Sequence, residues 1–268
     1  MKSNEEPSAL RDFACELARL GGRTAGRLFG KVSVHRKADN SPVTDADHIT
    51  QDAILRALSE RYPDHAILVE ETVADPGRHA DSGASDFCWV VDPIDGTRNY
   101  ARGVRVYATS VAVLHRGRTI AGAICDATND AVYSASRGCG AFRDHDLIRI
   151  AEPPVARELT IAVGSFRRRP MPVAVKEWMG QYHVRNMGST SLHLAWIAAG
   201  FVDAAYSIDC KLWDVAAAAL IVEEAGGCVT TEAGGPLWPC GAPALRGEDL
   251  QILAGAKGIH QVLLKSLS

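Results

Sequence analysis

The sequence predicts a layered α/β protein in which sheets and helices alternate. Three observations carry that reading. The chain has 268 residues, 47% hydrophobic and 23% charged, enough for one large domain or two closely packed lobes. Short apolar runs of strand length alternate with longer segments of helical period, with no internal repeat and no low-complexity stretch. From Tyr107 to Phe142 the pattern becomes a succession of short β segments separated by turn signals.

Taken in order, Leu10 to Leu28 has apolar residues at helical spacing and predicts a long amphipathic first helix, with Gly21-Gly22 as its weak point. A second helix is expected from Asp45 to Arg61, ended by Tyr62-Pro63. Ala66 to Val69 reads as a strand running straight into Glu70-Glu71. Residues 72–86 are rich in Asp, Gly, Ser and Ala and read as a mobile loop. Phe87 to Val91 is a buried-type strand that delivers Asp92. Ala108–Leu114, Thr119–Cys125 and Ala131–Ser134, with turns at Arg116-Gly117 and Asn129-Asp130, predict an antiparallel meander. Pro153-Pro154 marks a lobe boundary, dividing the chain into residues 1–152 and 153–268. Beyond it come a strand at Leu159–Val163, a helix capped by Ser189 or Thr190 and ending at Gly200, and a strand at Ala204–Ile208. An alanine-rich helix at Val215–Ala225 is closed by Gly226-Gly227.

Several function classes recede on composition. A net charge of -3 draws the surface towards neither nucleic acid nor anionic lipid. The longest apolar run, Val215 to Val222, is far short of a membrane span, and the first residues lack the basic-then-apolar pattern of a secretion signal. Seven cysteines are scattered, odd in number and without a C-x-x-C pair. They read as reduced thiols of a cytoplasmic protein rather than as a disulfide frame or zinc site.

The chemistry lies in carboxylates at strand ends. Glu70, Asp92 with Asp95, and Asp214 each border an apolar segment, where a buried scaffold meets a cleft. In Asp92-Pro93-Ile94-Asp95-Gly96-Thr97, Pro93 holds Asp92 extended, and the following turn can return Asp95 to the same side. Two carboxylates so close repel unless a cation lies between them. Oxygen ligands without nearby His or Cys favour a hard ion such as magnesium. Gly96-Thr97-Arg98-Asn99 reads as a helix start whose free N–H groups seat a phosphate. Taken singly, each feature has a plainer reading: D-x-x-D as a solvated turn, Asp214 as the N-cap of the alanine-rich helix, Glu70-Glu71 as an exposed strand end.

Jointly the pattern resembles the inositol monophosphatase family, within the lithium-sensitive, magnesium-dependent phosphatases, from about Leu10 to Lys265. Val90 to Tyr100 resembles that family's first signature. Leu212-Trp213-Asp214-Val215-Ala216-Ala217, running on to Glu223-Glu224-Ala225-Gly226-Gly227, resembles its second. Gly138 to Phe142 resembles a G-x-G-A segment, and Pro42 to Asp47 a V-T-x-x-D segment. The resemblance implies a five-layer α/β/α/β/α sandwich of the inositol monophosphatase / fructose-1,6-bisphosphatase type. The metal site would lie in a cleft between an N-terminal α+β lobe, which carries most ligands, and a C-terminal α/β lobe. By position it implies Glu70, Asp92 and the Ile94 carbonyl at a first magnesium ion, and Asp92, Asp95 and Asp214 at a second. A third ion is implied near Glu70. Asp47 and Thr97 would orient and deprotonate the attacking water. Gly96 and Thr97 amides, with Asp95 alongside, would hold the phosphate.

Departures bear on substrate. Seven residues before Asp214, inositol-specific members carry a Glu that grips two ring hydroxyls; here that residue is Ser207, a short hydroxyl that does not make the same charge-assisted pair. Gly188-Ser189-Thr190 keeps the character of the other substrate-contact segment, and Lys211 adds a cation for a second anionic group. Val69 stands where many members have Gly, and Arg98 where small polar residues are common. The expected activity is hydrolysis of a small phosphomonoester, led by inositol 1-phosphate. Histidinol phosphate, a sugar (bis)phosphate and 3′-phosphoadenosine 5′-phosphate are the alternatives. A regulatory or RNA-associated binding protein on the same fold is the alternative from another class. The family implies a homodimer; no membrane or nucleic-acid partner is expected.

Overall fold

A computed structural model describes residues 5–37, 41–73, 85–151, 158–166 and 169–267. Helix α1 (Pro7–Leu28) precedes an antiparallel hairpin of β1 (Val34–Arg36) and β2 (Pro42–Thr44), then α2 (Asp45–Arg61). A seven-stranded sheet follows in chain order: β3 (Ala66–Val69), β4 (Phe87–Asp95), β5 (Ala108–His115), β6 (Arg118–Asp126), β7 (Ala131–Ser136), β8 (Ala141–Arg143) and β9 (Asp146–Ile148). Its first pair is parallel and the rest is the expected antiparallel meander. Short helices α3 (Glu70–Val73) and α4 (Thr97–Ala101) lead out of β3 and β4.

The second half holds β10 (Thr160–Val163), α5 (Val173–Gln181), β11 (His183–Arg185), α6 (Thr190–Ala198), β12 (Ala204–Cys210) and α7 (Leu212–Glu224). It closes with β13 (Cys228–Thr231), α8 (Ala242–Leu245), β14 (Leu250–Gly255) and α9 (Lys257–Leu267). These strands form a five-stranded sheet in the order β11-β10-β12-β14-β13. The loop expected over residues 72–86 falls largely on residues 74–84, and Pro153-Pro154 on residues 152–157, both outside the described residues.

Strand alternation builds the layers. Trp89, Val91, Val111 and Val113 face Leu10, Leu17, Ile54 and Leu58 of α1 and α2. Their neighbours Val90, Ala112 and Leu114 face the opposite way, onto α6 and α7. On the far sheet Tyr206 and Ile208 meet Trp178 of α5 and Leu263 of α9, while Ala205 and Ile252 face the central helices. The order is α1/α2, seven-stranded sheet, α6/α7, five-stranded sheet, α5/α9, which is the predicted α/β/α/β/α sandwich. A helix between two sheets has no solvent face, and Val215 to Val222 of α7 are all fully buried. Each such Leu, Ile or Val contributes roughly 1.5–3 kcal/mol by burial, and the intervening alanines let the layers approach.

Two sequence expectations change here. Gly21-Gly22 is no weak point, since α1 runs through it unbroken. A Cβ at Gly21 would stand 2.5 Å from Thr109 Cγ2, and one at Gly22 2.6 Å from Cys125 Sγ, so the pair lets the helix lie against β5 and β6. The alanine-rich helix starts at Leu212 rather than Val215, which puts Asp214 inside its first turn instead of at its N-cap.

Candidate active site

Asp92 and Asp95 are three residues apart on one strand, and a regular pleat would send them to opposite faces. Pairing with β5 resolves this. Asp92 sits opposite Ser110 and Asp95 opposite Ala108, so three steps on β4 match two on β5. The extra residue is a bulge that restores the common face. Pro93, which has no N–H to give the ladder, lies inside it, and its carbonyl accepts from Thr109 Oγ1 at 2.8 Å. A bulge within the strand thus does the work expected of a turn after Pro93.

Asp214 reaches the same place from the central helix. Its Oδ2 accepts the Lys211 N–H at 2.7 Å, which fixes its rotamer while satisfying the start of α7. One carboxylate oxygen from each of Asp92, Asp95 and Asp214 lies within 4.8 Å of the other two. Burial, then repulsion from Glu70, Asp95 and Asp214, holds the Asp92 carboxyl well above the usual range. Burial, then Asp95 and Glu70, does the same to Asp214. Burial raises Asp95 too, against donors from Ser189 and Ser191. At an effective dielectric of about 20, two unit charges at such distances repel by roughly 3–4 kcal/mol. Three anions therefore do not share this pocket without a counter-charge. The donor set is all oxygen, and it fits a hard divalent cation such as magnesium.

Glu70 opens α3 at the end of β3, beside β4, but it lies outside that trio. Lys37 Nζ contacts Glu70 Oε1 at 2.8 Å and Glu71 Oε1 at 2.7 Å. Burial works against the Lys37 ammonium, yet the two glutamates outweigh it and raise its pKa. Burial and the Glu70 charge push Glu71 up to about 8, with Lys37 opposing. No sequence signal marks Lys37, because its partners lie more than thirty positions away.

Asp47, fully buried in the first turn of α2, is oriented by Thr44, whose N–H and Oγ1 both donate to Oδ2, at 2.8 and 2.7 Å. That leaves Oδ1 to face Thr97 Oγ1 at 3.2 Å. Burial raises the Asp47 carboxyl despite the Thr44 donors, which makes it the better proton acceptor. The Thr97 hydroxyl also lies 2.9 Å from the Ile94 carbonyl, and its single proton serves one acceptor at a time. The Ile94 N–H in turn donates to Asp92 Oδ1 at 3.0 Å. Gly96 precedes α4 at φ 95°, and a Cβ there would meet the Val106 carbonyl at 2.9 Å, so the turn requires glycine.

The other predicted substrate residues divide. Ser189 is the N-cap of α6, and its Oγ donates to Asp95 Oδ2 at 2.6 Å. Gly188 and Thr190 flank it, and Asn99 Nδ2 pins the segment through the Met187 carbonyl at 2.6 Å. Ser207 is buried in β12, where a Cβ on Gly164 would come within 2.7 Å of its Oγ. Lys211 departs from expectation. Its ammonium is held by Asp249 at 2.7 Å and by the Gly247 carbonyl at 2.6 Å, so it is not a spare cation for a second substrate anion. Lys37 and Ser191 lie outside every motif read from the sequence, whereas Thr44 and Asn99 fall within two of them, the V-T-x-x-D segment and the helix start after Asp95, without a role of their own being expected there. The motifs also brace one another, since Glu224 accepts the N–H groups of Gly138 and Gly140 at 2.9 and 3.0 Å.

The model of the inositol monophosphatase family matches residues 6–268. A protein of Pasteurella multocida named Nus factor SuhB is 34% identical over 232 residues, covering 82% of this chain and 85% of its own. The inositol-1-monophosphatase of Mesorhizobium japonicum is 31% identical over 273 residues, covering 97% and 96%. Among solved structures, the extragenic suppressor protein suhB of Bartonella henselae aligns with a TM-score of 0.83 at 29% identity, covering 97% of this chain and 98% of that one.

Proposed function

The chain belongs to the inositol monophosphatase family, and from that premise we propose that it is a magnesium-dependent phosphatase of small phosphomonoesters, with inositol 1-phosphate first among them. The observation that carries the reading is the buried trio Asp92, Asp95 and Asp214, whose mutual repulsion calls for a cation. In this reading Asp92, Asp95 and Asp214 hold one magnesium ion. Glu70, Asp92 and the Ile94 carbonyl hold another, and a third lies near Glu70, where a cation competes with Lys37 for the carboxylate. When bound, the ions supply electrophilic stabilisation of the phosphoryl oxygens and lower the pKa of a nearby water.

The chain's own residues do the rest. Thr97 orients the attacking water and passes its proton to Asp47 Oδ1, the oxygen that Thr44 leaves open. Gly96 and Thr97 present backbone N–H groups to the phosphate, with Gly188, Ser189 and Thr190 lining the leaving-group side. We place a division of the chain into two lobes near residues 152–153 and expect a homodimer. A second reading follows from the relative named a Nus factor: a regulatory or RNA-associated binding role through the surface. Retention of Asp47, Glu70, Asp92, Asp95, Thr97 and Asp214 favours the enzyme, and the two roles are compatible.

Phosphate release across a panel of monoesters tests the substrate. Loss of a carboxylate that accepts two ring hydroxyls removes on the order of 1.5–3 kcal/mol, roughly ten- to a hundredfold in discrimination. Wild type is expected to hydrolyse inositol 1-phosphate without strong preference, and Ser207→Glu to sharpen selectivity for it. A thousandfold wild-type preference for inositol 1-phosphate would mean that another residue grips the ring.

A further inference from the structure

Three donors converge on one oxygen of Asp95. Ser189 Oγ lies 2.6 Å from Oδ2, the Ser191 N–H 2.7 Å and Ser191 Oγ 2.5 Å. Among the described residues no donor reaches Oδ1. Asp95 comes from β4, whereas Ser189 and Ser191 are the N-cap and second residue of the nine-residue helix α6, more than ninety positions away. Asp95 thus caps a helix from the other half of the chain and takes up one of its unpartnered first-turn N–H groups. Ser191 is fully buried, and both its backbone and its side chain point at the same atom.

The torsion that turns an Asp carboxylate is soft and roughly two-fold, so an unrestrained Asp95 would exchange its two oxygens. Three donors on Oδ2 remove that freedom. We propose that Ser191 is a positioning residue for the divalent cation: its hydroxyl dedicates Oδ2 to α6 and leaves Oδ1 as the oxygen offered to the ion beside Asp92 and Asp214. The inference rests on the cation-dependent reading above. Partners that orient a metal-ligating carboxylate typically change metal affinity ten- to a hundredfold when removed. In Ser191→Ala the backbone N–H and the Ser189 bond remain, so α6 keeps its cap and the Gly188–Thr190 segment keeps its place.

Calorimetric titration of the full-length protein with magnesium alone, and with manganese alone, is the test. Ser191→Ala should bind the cation about tenfold more weakly or worse, with KM at saturating cation changed less than about twofold. Ser191→Cys, a weak donor of similar size, should fall between the two and serves as the comparison if the alanine variant does not fold. Unfolding in chelator separates positioning from packing: a packing role lowers the melting temperature and leaves cation affinity alone. Wild-type affinity in a folded Ser191→Ala protein overturns this inference and leaves the phosphatase reading standing. A wild-type protein that binds neither cation overturns both.

Discussion

Asp95→Asn is expected to lower phosphate release more than a hundredfold while leaving the fold intact. The amide keeps the shape of the carboxylate, and its oxygen still meets Ser189 and Ser191 at the start of α6. What changes is the other atom, where an NH2 with no acceptor capacity replaces an anionic oxygen on a residue that shares its pocket with Asp92 and Asp214. Loss of a single preorganised neutral donor costs about a hundred- to a thousandfold in comparable sites, and loss of a ligand's charge at a cation costs more. Without a cation the sign reverses. The trio's charge falls by one, and relief of repulsion offsets the weaker bonds to Oδ2. The melting temperature in chelator should hold or rise. Near-normal turnover at saturating magnesium would remove Asp95 from the cation site.

Thr97→Ala should separate rate from binding. It deletes the hydroxyl facing Asp47 Oδ1 and the Ile94 carbonyl but keeps the backbone N–H assigned to phosphate. Positioned proton transfer contributes about a hundred- to ten-thousandfold. kcat should fall by that order, with KM within a few fold. A rise in KM at unchanged kcat would make Thr97 a binding residue and leave Asp47 without its proton relay.

Much of this was legible because local chemistry and tertiary role agree. Helix α2 spans Asp45 to Arg61 and ends ahead of Tyr62-Pro63 as expected, and Asp47, which caps it together with Thr44, also faces the Thr97 hydroxyl. The meander declared itself through its turns. Other features depend on partners distant in the chain. Asp92 and Asp95 share a face only through a register shift against β5, which no property of Asp92–Thr97 alone specifies. Ser191 looks like one more hydroxyl in Gly-Ser-Thr-Ser until Asp95 is seen against it. Lys211 reads as a free cation beside Asp214 until the turn after α8 brings Asp249 to it. Gly21-Gly22 reads as a weak point of the first helix because the sheet that requires close approach is built some ninety residues later. Strand β14, which lies between β12 and β13 in the second sheet, and helix α9 carry none of the motifs, and their place in the fold is set by partners distant in the chain.

Inorganic phosphate released from inositol 1-phosphate by the full-length wild-type protein, with magnesium and then with chelator, tests the account most directly. Steady turnover should depend on magnesium, fall to background on chelation and return when magnesium is restored. Turnover that survives complete chelation, or no turnover on any small phosphomonoester by a protein that binds magnesium, would contradict it.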